Sequence, residues 1–421
     1  MNVEGSPAWR GKLRLSILLL LLGLATLRLA DPSLLPHSDF IEYWSSARLF
    51  LAQKNPYSPA EMHEIQAPLG YEARPTMMYN PPWTLPLIAP FALLEYHWAR
   101  LLWLVLSAAA LFFSCNTIWT IYGGPRDRRP LAWLVAGLFF PTISVLRMGQ
   151  IGAFLLLGLI LFLLAVQTRR DFWAGVALFL PSLKPHLFAP LVVILLLWIV
   201  QMRRWRILLD GGVALCLALA IALFFDPLVF AQYRMLMRDE PPTIWYTPSI
   251  GNFLRLAFGW QHHWLQFVPT ALGAAWAVWY WLRCQNVGFT RSARTTMARR
   301  EEWDWRERLP LVLLVGVVVA SYGAWIFDLV VLLLPILAVT VPLIASRWRW
   351  WSLGIHVLLS AGSALLLEGG ADPMWLVWAA PTLLGLYLLL HRHLASMRND
   401  RSATCGTLQS SFSSPKAPFS C

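Results

Sequence analysis

Five side chains spread along this 421-residue chain are of types that do proton or anion chemistry and fall at the ends of apolar runs: Asp39, Arg147, Lys184, His186 and Asp328. Asp39 sits in His37-Ser38-Asp39-Phe40. Its carboxylate either caps a following helix, a job Ser38 could also do, or acts as a catalytic base where a loop meets lipid. Glu42, one turn on, is the weaker rival. Gly149 permits a tight reversal in Arg147-Met148-Gly149-Gln150, which pins Arg147 and Gln150 near the headgroup plane. Lys184, in Leu183-Lys184-Pro185-His186, follows an apolar segment of only eleven residues, 171–181. As a helix that segment rises about 16 Å against a hydrocarbon core of about 30 Å. The twelve residues 309–320 rise about 18 Å and bring Ser321-Tyr322-Gly323 through Asp328 to similar depth. A charge at the bilayer centre costs about 2.5–3.5 kcal/mol on insertion scales. Lys184 and Asp328 therefore line a polar cavity, unless both helices run farther and leave each charge in bulk solvent. His262 and His263 are adjacent, about 100° apart on a helix, and form no metal pair. The chain contains no HExxH, CxxC, DxD, P-loop or GxGxxG spacing, so no metal or cofactor is expected and an ATP-driven pump is disfavoured.

The elements that must position these groups read as helices in a membrane. Apolar segments run over 13–30, 97–121, 130–147, 150–166, 171–181, 186–201, 207–225, 261–283, 309–320, 328–345, 349–367 and 373–391. The expected fold is an all-α polytopic membrane protein of about twelve transmembrane segments, with 171–181 and 309–320 too short to cross alone as straight helices. Placing the N-terminus in the cytoplasm puts 24 of the 34 Lys and Arg on the inside, in clusters beside the spans, as the positive-inside rule requires. Hydrophobic content of 58 % against 13 % charged residues fits this class. The +12 formal charge is explained by anionic inner-leaflet lipid, and no basic face interleaved with stacking aromatics calls for nucleic acid. Segment 13–30 resembles a signal peptide in its basic flank, but its apolar run continues through Leu29 and Ala30, which favours an uncleaved anchor. No cysteine is left for an outer disulfide. Residues 1–398 form a single membrane domain. The Ser-rich stretch 399–421 reads as a disordered cytoplasmic tail, and both termini are expected on the cytoplasmic side of the plasma membrane, with the active site on the outer face.

The outer connections hold the remaining signals. Residues 31–96 are too apolar and aromatic for a floppy linker. The spacing of Phe40, Tyr43, Trp44, Ala47 and Leu49 predicts a helix, ended by Asn55-Pro56-Tyr57-Ser58-Pro59, and Tyr79-Asn80-Pro81-Pro82-Trp83 starts a second short one. Residues 226–260, with Tyr233, Asp239-Glu240-Pro241-Pro242 and Pro248-Ser249-Ile250-Gly251, are placed to form a lid.

In order, Ser38-Asp39-Phe40-Ile41-Glu42-Tyr43-Trp44, Asn55-Pro56-Tyr57, Tyr79-Asn80-Pro81-Pro82, Gly149-Gln150, Leu183-Lys184-Pro185 and Ser321-Tyr322 to Asp328 resemble glycosyltransferase family 87, polytopic enzymes of the superfamily C fold similar to polyprenol-phosphomannose-dependent mannosyltransferases. The likeness runs from about 37 to 345. It departs at Lys54, where a small residue is often found, and at Gly323. The resemblance implies transfer of a sugar from a lipid-phosphate donor to an acceptor glycan or glycolipid on the non-cytoplasmic face, with Asp39 as base. It matches Asn55, Pro56, Tyr57, the Pro81-Pro82 turn and Gln150 to positions that shape the pocket, and Lys184 to a donor-side basic position; Glu42, Tyr43, Tyr79, Tyr322 and Asp328 are expected around the same pocket. On charge alone, Lys184, with Arg147 or His186 in reserve, would neutralise charge growing on the phosphate. A lipid phosphate leaves as a stable anion, so one carboxylate base is enough, unlike the paired carboxylates of glycosidases. Such a site requires no bound metal. A transporter or lipid flippase is the main rival, since broken helices near charges are also transporter design, although the halves show no internal repeat. A non-catalytic scaffold would leave the outer polar residues without a use.

Overall fold

A computed structural model describes residues 38–291, 303–344, 346 and 348–394; the anchor 13–30, His37 and the tail 399–421 lie outside them. The described residues are helical, as expected, but the count of spans is corrected. Among the described residues, three helices are long and apolar enough to cross a membrane: Tyr96–Ile121, Trp205–Phe225 and Pro373–Leu394. A fourth is added if Arg126–Leu138 and Phe140–Met148, bent by 66°, are one broken span. The break has a cause in Pro141, which has no N–H to continue the ladder of the preceding helix.

The other apolar runs are shorter helices. Residues 171–181 form a helix only over Asp171–Ala177, followed by a 3-10 turn at Pro181–Leu183. The run 186–201 becomes Ala189–Met202, 14 residues, about 21 Å of rise against a core of about 30 Å. The run 328–345 divides into a 3-10 turn, Asp328–Leu332, and the helix Leu333–Leu343. Residues 309–320 belong to Trp305–Val318, which carries Pro310 inside it. Hydropathy failed as a span counter because a helix apolar all round is either bathed in lipid or enclosed by protein. Gly152–Gln167 is the second kind: Leu155, Leu156, Leu159, Ile160, Phe162 and Leu163 are all fully buried. The expected bundle of about twelve membrane-crossing helices therefore does not describe this chain.

The helix Tyr96–Ile121, 26 residues and about 39 Å long, separates two ends of the molecule. At its start, the Trp44 indole donates to Leu94 O at 3.0 Å and packs against the Tyr96 ring, which ties the first connecting segment down. At its finish, the Tyr122 hydroxyl donates to Arg306 O at 2.7 Å. The Arg-rich ends also meet elsewhere: Arg204 pairs with Asp171 at 3.1 Å, and Gln201 donates to Gln285 at 2.9 Å.

Candidate functional site

The helix Phe40–Leu51 is buried on nearly every side, Glu42 included. Asp39 stands at its N-cap position, yet its carboxylate accepts no hydrogen bond from the first turn. The capping role is thus not what occupies this side chain. Immediately before it, the Tyr71 hydroxyl accepts from Ser38 N at 2.8 Å and donates to Ser38 O at 2.9 Å, fixing the backbone from which Asp39 projects. Its partner is Gln150, whose Nε2 donates to Asp39 Oδ2 at 2.9 Å. Gly149 makes this approach possible. Its φ is +68°, and a Cβ there would stand 2.7 Å from Phe40 Cβ, so any other residue would push the turn off the start of the helix.

Gln150 joins four groups. Nε2 also faces Glu42 Oε1 at 3.4 Å, while Oε1 accepts from the Tyr43 hydroxyl at 2.9 Å and from Lys184 Nζ at 3.0 Å. An ammonium only donates, so Oε1 must face Lys184 and the N–H side must face the carboxylates. The amide stands between the Asp39 carboxylate and the Lys184 ammonium.

Lys184 lies between two 3-10 turns, Pro181–Leu183 and Pro185–Leu187, where prolines break the helix short. Nζ donates to Asp328 Oδ1 at 2.8 Å, with the Lys184 side chain 11 % exposed and that of Asp328 0 %. The second Asp328 oxygen accepts from Trp325 N at 3.1 Å, and the ammonium lies 5.0 Å from the Phe327 ring centroid. Gly323, φ +71°, lets the 321–328 segment lie on His186, whose Nε2 a Cβ would approach to 2.8 Å. Tyr322 covers the same imidazole at 4.5 Å between centroids.

Asp39, Glu42, Tyr79, Gln150, Lys184, His186, Tyr322 and Asp328 line one cavity of about 850 Å³, large enough for a small-molecule headgroup. Its outer wall comes from the 226–260 segment. The Tyr79 hydroxyl donates to Glu240 Oε2 at 3.3 Å, and its ring meets Trp245 edge-on at 4.4 Å. The other expected site residues do not reach the lining. Tyr43 supports Gln150 from behind. Asn55 Oδ1 accepts from Tyr57 N at 2.9 Å, and the buried Tyr57 hydroxyl donates to Asn80 O at 3.2 Å; both shape the loop. Asn80 in turn donates to Leu183 O at 3.0 Å, which locks the loop to the Lys184 turn. Arg147 runs the other way and pairs with Glu368 at 2.9 Å, both side chains well exposed. Asn80 and Glu240, named in the sequence only within their motifs, also line the cavity, as do Arg74, Trp245 and Tyr246, which sequence reasoning missed. The adjacent aromatics Trp245-Tyr246 are the one signal that could have found any of these three.

Burial raises the Asp39 carboxyl above its ordinary value, while the Gln150 N–H and the Lys184 charge pull it down. Burial, then the charge of Asp39, raises Glu42 further, well above the usual carboxylate range. His186 is pushed down to about 3 by burial and by Lys184, so it is neutral at physiological pH.

Residues 78–298, more than half of the chain, match the sequence profile of glycosyltransferase family 87. The chain belongs to glycosyltransferase family 87. No curated protein and no solved structure matches it. It is a glycosyltransferase acting at a membrane, and its family implies a lipid-linked sugar donor. The matched stretch of this family 87 enzyme contains Tyr79 to Pro82, Gly149-Gln150 and Leu183-Lys184-Pro185. Asp39 and Asp328 lie outside it and enter the site through the hydrogen bonds above.

Proposed function

We propose that this enzyme moves a hexose such as mannose from a polyprenyl-phosphate donor to an acceptor hydroxyl on the non-cytoplasmic face of the plasma membrane, by a single inverting displacement with Asp39 as base. The acceptor O–H gives its proton to Asp39, the freed oxygen bonds to the anomeric carbon, and the anomeric carbon–phosphate oxygen bond breaks to release the lipid phosphate. Lys184, held by Asp328 and Gln150, supplies positive charge at the donor side. Glu42 retains its proton more firmly than Asp39, so the base of the pair is the less strongly shifted carboxyl. One observation carries the reading: a carboxylate and an ammonium distant in sequence reach one cavity through the same amide. Incubating the purified protein with a panel of polyprenyl-phosphate sugars and an acceptor glycolipid tests it. Release of lipid phosphate is expected with at least one donor; a transporter would release none.

A further inference from the structure

The donor brings a negative phosphodiester into the cavity and leaves an additional negative charge behind as the bond to the sugar breaks. The cavity must answer that charge with cations, and few of its groups are free to do so. Lys184 already shares its charge with Asp328 at 2.8 Å. His186 lies under the Tyr322 ring, where burial and the Lys184 charge disfavour its cationic form. Arg147 is outside the lining and paired with Glu368. On the acidic side stand Asp39, Glu42, Glu240 and Asp372, the last two engaged by the Tyr79 hydroxyl and by Met374 N. An incoming phosphate would meet a surface with more carboxyls than uncommitted cations.

Arg74 is the exception. It lines the cavity beside Thr76 and Met77 in the irregular stretch between the helix Pro59–Gln66 and the Pro82–Thr84 turn. Its side chain is exposed to the cavity, and among the described residues it makes no ion pair or hydrogen bond. The stretch that carries it is anchored on both sides, by Gln66 accepting from Thr76 N at 2.7 Å and donating to Thr76 O at 2.9 Å, and by Tyr71 on Ser38. The guanidinium is thus delivered by the same connecting segment that fixes Asp39. We infer that Arg74 is the residue that binds the donor phosphate, its planar fork taking two phosphate oxygens while Lys184 stays with Asp328. This rests on the transferase reading above and names a residue for it. A guanidinium suits the task because it stays charged in a low-dielectric site and matches phosphate oxygens two at a time.

The test measures binding of a polyprenyl phosphate, and of the same polyprenol lacking phosphate, to the full-length protein in detergent, with wild type, Arg74→Gln and Arg74→Lys. Arg74 is exposed, so neither variant disturbs the core. Arg74→Gln should weaken polyprenyl phosphate binding about tenfold or more, leave polyprenol binding unchanged and flatten the salt dependence, and Arg74→Lys should recover part of the loss. Arg74→Gln binding polyprenyl phosphate as wild type does would overturn the inference, as would equal weakening for both lipids, which marks a structural role. Phosphate-selective loss in a protein that releases no lipid phosphate from any donor would sustain the Arg74 site and remove the transferase reading instead.

Discussion

Lys184 and Arg255 are both cations taken largely out of water, and the molecule satisfies them in opposite ways. Lys184 faces a carboxylate, Asp328, and an amide oxygen, and keeps an edge on the cavity. Arg255, 0 % exposed, has no carboxylate partner among the described residues. It donates to Trp260 O at 2.6 and 3.0 Å, Thr243 O at 2.5 Å and Gln266 Oε1 at 2.6 Å, and lies 3.9 Å over the Trp260 ring. The guanidinium closes the 226–260 segment on itself, and through Trp260 stacked on Tyr246 it sets the outer wall of the cavity. The difference separates two uses of buried charge. A cation spread over carbonyls fixes a fold, whereas one held by a single carboxylate at a cavity edge keeps part of its field for a ligand.

If that distinction holds, removing each cation should fail differently. Lys184→Ala strands the Asp328 carboxylate without a partner and should cost about 3–5 kcal/mol of stability. Asp328→Asn added to it should restore most of the stability and none of the transfer rate. Thermal unfolding and turnover of the two variants check this, and a fully stable Lys184→Ala protein would break the comparison. Gln150→Ala should lower kcat about a hundredfold by freeing the base from its fixed position. The Gln150 N–H lowers the Asp39 pKa, so its loss raises it. A base works only when deprotonated, and the acid limb of the rate profile should therefore move to higher pH. An unmoved limb would show that Gln150 does not touch the base. Arg255→Met should cost about 1–3 kcal/mol through the acceptors left unpaired and raise the donor KM a few-fold with kcat nearly unchanged. A fall in kcat alone would assign Arg255 a part in the chemistry.

Asp39, Gln150, Lys184 and Asp328 stand at motif positions legible in the sequence, and they line one cavity, whereas the membrane depth expected for Lys184 and Asp328 rested on spans that the described residues do not form. The number of spans was lost because apolarity reports the absence of water and not the presence of lipid, as the enclosed Gly152–Gln167 helix shows. Arg147 shares a turn with Gln150, but the positive φ at Gly149 reverses the chain between them and sends the two side chains apart. Arg74 and Trp245 sit in irregular backbone, where no periodicity says which way a side chain faces. Their place in the cavity depends on long-range contacts such as Tyr79 with Glu240.

Transfer by wild-type protein and by Asp39→Asn, measured side by side as lipid phosphate released from a polyprenyl-phosphate mannose donor, tests the central claim most directly. The variant should fold and bind donor as wild type does while its rate drops by about 10² to 10⁴. Equal release by the two proteins would remove Asp39 as the base.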